Sequence, residues 1–175
     1  MSSVVITISV PSRLIVIRRV FTIILRGLVL FLTMSALTKF NQVEQALKNI
    51  VESVLGPGRV SVGLYSPTPQ FPRATVYAES VSARDVALGS RWLEHTWRFA
   101  VEIWAARGSE HEAYDEIKRL FWAVYDAIMS NRTLGVGNDV FVTPAVDSTL
   151  EGGRTDDQRF GFRWTMHVLV RVASL

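Results

Sequence analysis

The chain has 175 residues, of which 49% are hydrophobic and 20% charged, which is typical of one globular domain large enough to bury a core. It has no cysteine, which excludes disulfides, thiolate metal sites and a cysteine nucleophile. The net charge is +3, but residues 1–33 hold four of the 19 basic residues and none of the 16 acidic ones. The rest of the chain therefore carries −1, and its composition does not indicate nucleic-acid binding.

Residues 1–33 form an apolar, basic N-terminal extension. A membrane-spanning helix needs about 20 predominantly apolar residues, but arginines interrupt this segment and leave only residues 27–38 as an uncharged run. That length suits the hydrophobic part of a signal peptide. Three interpretations stay open: a disordered arm or upstream extension before a start at Met34, a membrane or export segment, and an ordered strand.

Residues 34–175 are expected to form a single domain, which begins with a helix. Apolar residues recur at helical spacing from Leu37 to Val54, and Gly56-Pro57-Gly58 predicts the end of this helix. Alternation then predicts a short strand from Val60 to Leu64, followed by a proline-rich loop. A further strand is expected from Ala74 to Val81, and a polar loop or extended hairpin over Ser82 to Arg91.

A strand–helix unit dominates the middle of the sequence. From Trp97 to Ala105 every second residue is apolar, the period of a half-buried strand. Ser109 followed by Glu112 predicts a capping box at the start of a helix that runs to Ser130. The buried face of this helix is predicted to consist of Ala113, Ile117, Leu120, Phe121, Val124 and Ile128.

The C-terminal part predicts two more strands. Asp139 to Val146 is expected to be an edge strand because it contains Pro144. Ser148 to Gln158 is interpreted as a mobile loop, and alternation returns from Phe160 to Val172. The order α-β-β-β-α-β-β predicts an α+β fold: a mainly antiparallel sheet of about four to five strands with two helices packed on one face.

No constellation of catalytic residues stands out, so we expect no enzyme activity, no cofactor and no metal. His95 and His167 would come close if the two long strands pair, but no carboxylate follows at diagnostic spacing, and a surface histidine is the better interpretation. Ser109, His111 and Asp115 lie too close in sequence for a catalytic triad.

Two tryptophans and three arginines are candidates for contacts with other molecules. Trp104 and Trp122 fall on the polar sides of their elements, which indicates either a protein interface or cover by a loop of the same chain. The arginines share one face with Glu102, where they form either a solvated surface with cross-strand pairs or the lumen of a ring that passes DNA. These lumen candidates are Arg98, Arg163 and Arg171.

Residues 36–173 resemble the tail terminator and tail-completion proteins of long-tailed bacteriophages. The resemblance rests on the amphipathic first helix, the loop Tyr65-Ser66-Pro67-Thr68-Pro69-Gln70-Phe71-Pro72 before a strand, and the long C-terminal strand. It also rests on the strand His95-Thr96-Trp97-Arg98-Phe99-Ala100-Val101-Glu102-Ile103-Trp104, which leads through Ala105-Ala106-Arg107-Gly108 into a helix. Residues 1–33 depart from the family pattern.

The resemblance implies a structural virion protein, assembled in the host cytoplasm. Family members form a ring, usually hexameric, that caps the tail tube and faces the head connector, so the implied partners are copies of the chain, the tube protein and the connector protein. DNA would pass through non-specifically, and membrane contact is not expected. The candidate interface residues are Trp104, Trp122, Arg84, Asp85, Arg91, Arg154, Asp156 and Asp157.

Three other functions remain as alternatives. One is a neck adaptor or stopper at the head–tail joint, which the sequence cannot separate from a terminator. Another is a membrane-attached α+β protein anchored by residues 1–33. The last is a small hydrolase or ligand-binding domain, which would need a pocket with converging polar groups.

Overall fold

The computed structural model describes residues 36–63, 70–85, 93–155 and 157–174. The predictions for residues 1–33 therefore lie outside the described residues. The chain divides into two compact units, Met1–Phe40 and Asn41–Leu175. The larger unit contains the sheet, and no described helix is long and apolar enough to cross a membrane.

The α+β class and the predicted element order are confirmed. Helix α1 spans residues 36–55, and α2 spans Glu110–Ser130. The strands are β1 (Val60–Val62), β2 (Arg73–Asp85), β3 (Leu93–Arg107), β4 (Val140–Arg154) and β5 (Phe160–Ser174). They form one sheet in the order β1-β2-β3-β5-β4, in which only the β1–β2 pair is parallel.

The core lies where α2 covers one face of the sheet. Helix α2 contacts β3, β5 and β4, and its buried residues are the six that the helical period predicts. The apolar side of β3 is buried from Trp97 to Ala105, as its alternation predicts. Val43, Leu47 and Val51, one turn apart on α1, are also fully buried.

The ends of the helices follow from their sequences. Ser109 caps α2, because its hydroxyl accepts a hydrogen bond from the Glu112 amide at 3.3 Å. Gly56 ends α1 with φ of +100°, a conformation that L side chains rarely adopt, and its amide donates to the Glu52 carbonyl.

Strands β4 and β2 extend into segments that the sequence predicts as loops. The prediction of a mobile loop over Ser148 to Gln158 is wrong for its first seven residues, because β4 continues to Arg154 in register with β5. The twin glycines are part of this strand: a Cβ on Gly152 would lie 2.5 Å from the Phe162 ring. Similarly, β2 extends to Asp85, so the extended-hairpin interpretation holds for residues 82–85.

Candidate interaction surfaces

The face of the sheet that α2 does not cover carries ionic side chains from four strands, and we call it the charged face. Short side chains such as Thr75 and Ala100 are fully buried among the longer ones. The residues that form ion pairs there are Glu79, Glu94, Arg98, Glu102, Asp147, Glu151, Arg163, His167 and Arg171. Arg73 and Tyr77 of β2 lie on the same face.

Arg98 holds one half of the charged face together. Its guanidinium contacts Glu79 and Asp147, each at 2.8 Å, and Glu79 also lies 2.9 Å from Nδ1 of His167. The hydrogen bond that Arg98 donates to Asp147, followed by the one that it donates to Glu79, raises the pKa of Arg98. Both carboxylates reach Arg98 from bulged parts of their strands, since the β2 and β4 registers shift at these points.

Arg163 organises the other half. It pairs with Glu151 and lies 3.9 Å from Glu102. The Tyr77 hydroxyl donates a 2.8 Å hydrogen bond to Glu102. Burial raises the pKa of Tyr77 to about 12, with a further contribution from the Glu102 carboxylate.

The three lumen candidates do share one face, and each contacts carboxylates of its own chain. Arg171, which is more exposed, lies 4.0 Å from Glu94. The ion pairs of the charged face thus join three arginines to five carboxylates, which sum to −2 with His167 neutral. Arg73, opposite Trp104 on the same face, adds one positive charge. This geometry agrees with the cross-strand-pair interpretation, and a role in a lumen remains a prediction.

The two candidate tryptophans have different surroundings. Trp122 is 54% exposed on α2, where its ring makes edge contacts with Phe121 and Tyr125. Trp104 is half-buried, and the Arg73 guanidinium lies 5.5 Å from its ring centroid. Trp104 is therefore partly covered by its own chain, whereas Trp122 presents aromatic surface to the surroundings.

The charged interface candidates are dispersed. Arg154 is exposed at the end of β4, over the Phe160 ring at 4.9 Å. Asp157 lies in the β4–β5 turn, where hydrogen bonds from Arg159 and Thr155 lower its pKa to about 2. The remaining candidates cannot be placed as side chains: Arg84 and Asp85 lie in β2, where only their backbone is described, and Arg91 and Asp156 lie outside the described residues.

A shallow groove of about 260 Å³ lies between Trp104 and the β4–β5 turn. Phe71 and Arg73 line one side, where the Arg73 guanidinium lies 4.8 Å from the centroid of the Phe71 ring. The Arg159 guanidinium lies 5.4 Å from the same centroid. Its lining includes Gly153 and Gly161. These contacts connect the segment before β2 to the β4–β5 turn within one chain.

The histidines do not come together. His167 lies opposite Ala100 and is part of the charged face. His95 lies opposite Val172, five residues before Ala100 in β3 and on the other side of the strand. A two-histidine site is therefore excluded by the register. Within the described residues there is no group of three histidine, aspartate or glutamate side chains that could hold a metal ion.

Sequence reasoning missed a set of exposed apolar side chains at the two edges of the sheet. Val62 in β1 and Val81 in β2 are exposed at one edge, and Phe141 and Leu150 in β4 at the other. Tyr114, also exposed, contacts Phe162 beside the β4 edge. Alternation along single strands could identify these residues as apolar, but only the strand order shows which strands lie at an edge.

Comparisons by sequence find no relative: no family model and no curated protein matches the chain. Among solved structures, the chain is similar to a sheath/tube terminator of an extracellular contractile injection system, PVC, in the extended state. The identity is 13% and the TM-score 0.44, over 77% of this chain and 56% of that chain. This chain thus spans little more than half of that terminator, and at such a distance the similarity carries no argument about function.

Proposed function

We propose that this chain is a non-enzymatic structural subunit of a virion tail, which forms a homo-oligomeric ring that caps the tail tube and joins it to the head connector. The carrying observation is the exposed aromatic surface on α2, where Trp122 is 54% and Tyr114 39% exposed. Large aromatic side chains are enriched at protein interfaces, where they supply most of the binding free energy.

The sequence resemblance to tail terminators supports the specific role. It rests on an order of elements that the fold reproduces, with the long β3 strand leading through Arg107 and Gly108 into the capped helix α2. In this proposal the ring has about six copies, assembles in the host cytoplasm and ends up in the tail or neck of the virion.

The charge balance of the charged face supports passage of DNA rather than binding. A surface that binds DNA needs unpaired cations to neutralise phosphates. Arg98 and Arg163 are instead paired with carboxylates, and this face has more described carboxylates than arginines. If the charged face lines the ring, DNA would pass along a surface that does not bind its phosphate groups.

The test is the native mass of the full chain, measured by light scattering, with negative-stain images of the same sample. We expect rings with a mass of about six times the 19.6 kDa subunit. Added to polymerising tube protein from the same virus, the rings should shorten the tubes and lie at their ends. A chain that stays monomeric and leaves tube length unchanged overturns the proposal, and rings that bind only the connector favour the adaptor role.

A substitution tests the aromatic surface directly. Trp122→Ala should raise the subunit concentration needed for ring formation by roughly tenfold or more, because truncating an interface hot spot costs at least that much affinity. Asp126→Ala, at an exposed position on the same helix, is the matched control. Equal ring formation by both variants would contradict the assignment of Trp122 to a subunit interface.

A further inference from the structure

The two edges of the sheet differ in charge as well as in position. Two rows of paired residues cross the sheet, and each begins with an arginine on β2. The first row is Arg73, Trp104, Arg163 and Glu151, and the second is Arg84, Glu94 and Ala173, whose amide donates to the Asp139 carbonyl just before β4. Both rows therefore have a basic residue at the β2 end and an acidic residue at the β4 end.

Both edges also leave backbone groups without a described strand partner. β1 pairs with β2 only over Ala74–Val76, so no described strand lies beyond residues 77–85 of β2. β4 pairs only with β5 in the part of the chain that the structure describes. Proteins commonly protect such edges with lysine, proline or bulges. Neither strand contains lysine, and the proline and bulge of β4 lie before Ser148, so residues 148–154 form its regular edge.

The strand directions allow the β4 edge of one copy to pair with the β1–β2 edge of a second copy. β2, β3, β5 and β4 are neighbours in antiparallel pairs, so β4 runs opposite to β2 and to β1. Rotation of a copy about an axis along the strands preserves these directions. The β4 edge of one copy would then lie antiparallel to the β1–β2 edge of the next, with the helices of both copies on the same side.

From this complementarity we propose that the ring is closed by the β4 edge of one copy against the β1–β2 edge of its neighbour. Leu150 and Val62 point to the face of the sheet that α2 covers and supply apolar contact across the joint. The acidic ends of the two rows meet the basic ends of the next copy. This inference rests on the proposed ring, and it names the partner as a second copy joined through two different surfaces.

The absence of cysteine from the chain provides a clean test by crosslinking. Val62→Cys and Leu150→Cys are combined in one full-length chain and treated with a short bis-maleimide reagent. We expect a ladder of covalent oligomers that ends at the subunit number of the ring, and loss of this ladder in either single variant. Leu150→Cys combined with Ser130→Cys, an exposed position at the end of α2, is the matched control and should stay uncrosslinked.

The outcomes separate this inference from the proposed function. Rings without a ladder overturn the edge-to-edge joint and leave the ring itself standing. Crosslinked dimers from Leu150→Cys alone overturn it too, because they show that like edges meet about a two-fold axis. A complete ladder in a protein that fails to cap tail tubes supports the joint and contradicts the tail-terminating role.

Discussion

Tyr77 links burial and charge at one position of the charged face. Its hydroxyl is the proton donor to Glu102, whose other oxygen faces Arg163. Ionisation of the phenol would place a second negative charge beside the carboxylate in a partly buried site. Burial and this carboxylate together raise the pKa of Tyr77 to about 12.

We therefore expect Tyr77 to ionise near pH 12 in the folded protein, against about 10 for a free tyrosine. The folded state binds this proton more tightly than the unfolded state does. The contribution of protonated Tyr77 to the free energy of unfolding is therefore complete below pH 10 and is lost as the pH rises to about 12. The difference in tyrosinate absorbance between wild type and Tyr77→Phe isolates this group. Glu102→Gln should lower the pKa only in part, since burial is the larger cause, and an unchanged value would contradict the role of Glu102.

Gly152 and Gly153 are neighbours in β4 that differ in the space around them. A Cβ on Gly152 would meet the Phe162 ring at 2.5 Å, whereas nothing lies within 4 Å of a Cβ on Gly153. The Phe162 ring is itself in edge contact with Tyr114, which restricts how it can move away. The two glycines therefore form a matched pair for substitution.

Gly152→Ala should destabilise the fold by about 1–3 kcal/mol, as overpacking does. Gly153→Ala should be neutral or slightly stabilising, because glycine in a strand costs backbone entropy. Urea denaturation of the two variants measures the difference. If Gly153→Ala is the more destabilised of the two, then the close approach of Phe162 to β4 is wrong.

At the scale of elements, α2 depends on its N-terminal cap. Ser109→Ala removes the hydroxyl that accepts from the Glu112 amide and should cost about 1 kcal/mol of unfolding free energy. Ser109→Asp should retain the stability, because its carboxylate can accept the same bond and favours the positive end of the helix dipole. Urea denaturation curves of both variants provide the measurement, and equal losses would show that the cap is not stabilising.

Elements whose apolar residues recur with a clear helical or strand period could be predicted from the sequence. Segments whose conformation depends on pairing with a neighbouring strand could not. The six buried positions of α2 and the buried side of β3 follow from local spacing. The second half of β4 does not, because two glycines and flanking charges are also typical of a loop. Its extended conformation comes from pairing with β5, from Ser148 opposite Met166 to Arg154 opposite Phe160.

At the scale of the whole molecule, the fold class followed from the sequence but the surfaces did not. The shared face of Arg98, Arg163 and Arg171 was predictable, since alternation fixes the side of a strand. The carboxylate partners of Arg98, which are Glu79 and Asp147, come from bulged parts of other strands, and no single-strand pattern reveals them. The exposed edges likewise depend on β5 lying between β3 and β4.

The β3–β5 pair also has a mechanical consequence. It runs without a register shift from Leu93 opposite Ser174 to Arg107 opposite Phe160, whereas both flanking strands contain one. Fifteen paired residues extend over roughly 50 Å, with their hydrogen bonds perpendicular to the strands. Tension along this ribbon would strain all of these bonds together rather than one after another. The β3–β5 pair at the centre of the sheet should therefore resist force applied along the strands. The bulged outer strands should lose their hydrogen bonds first.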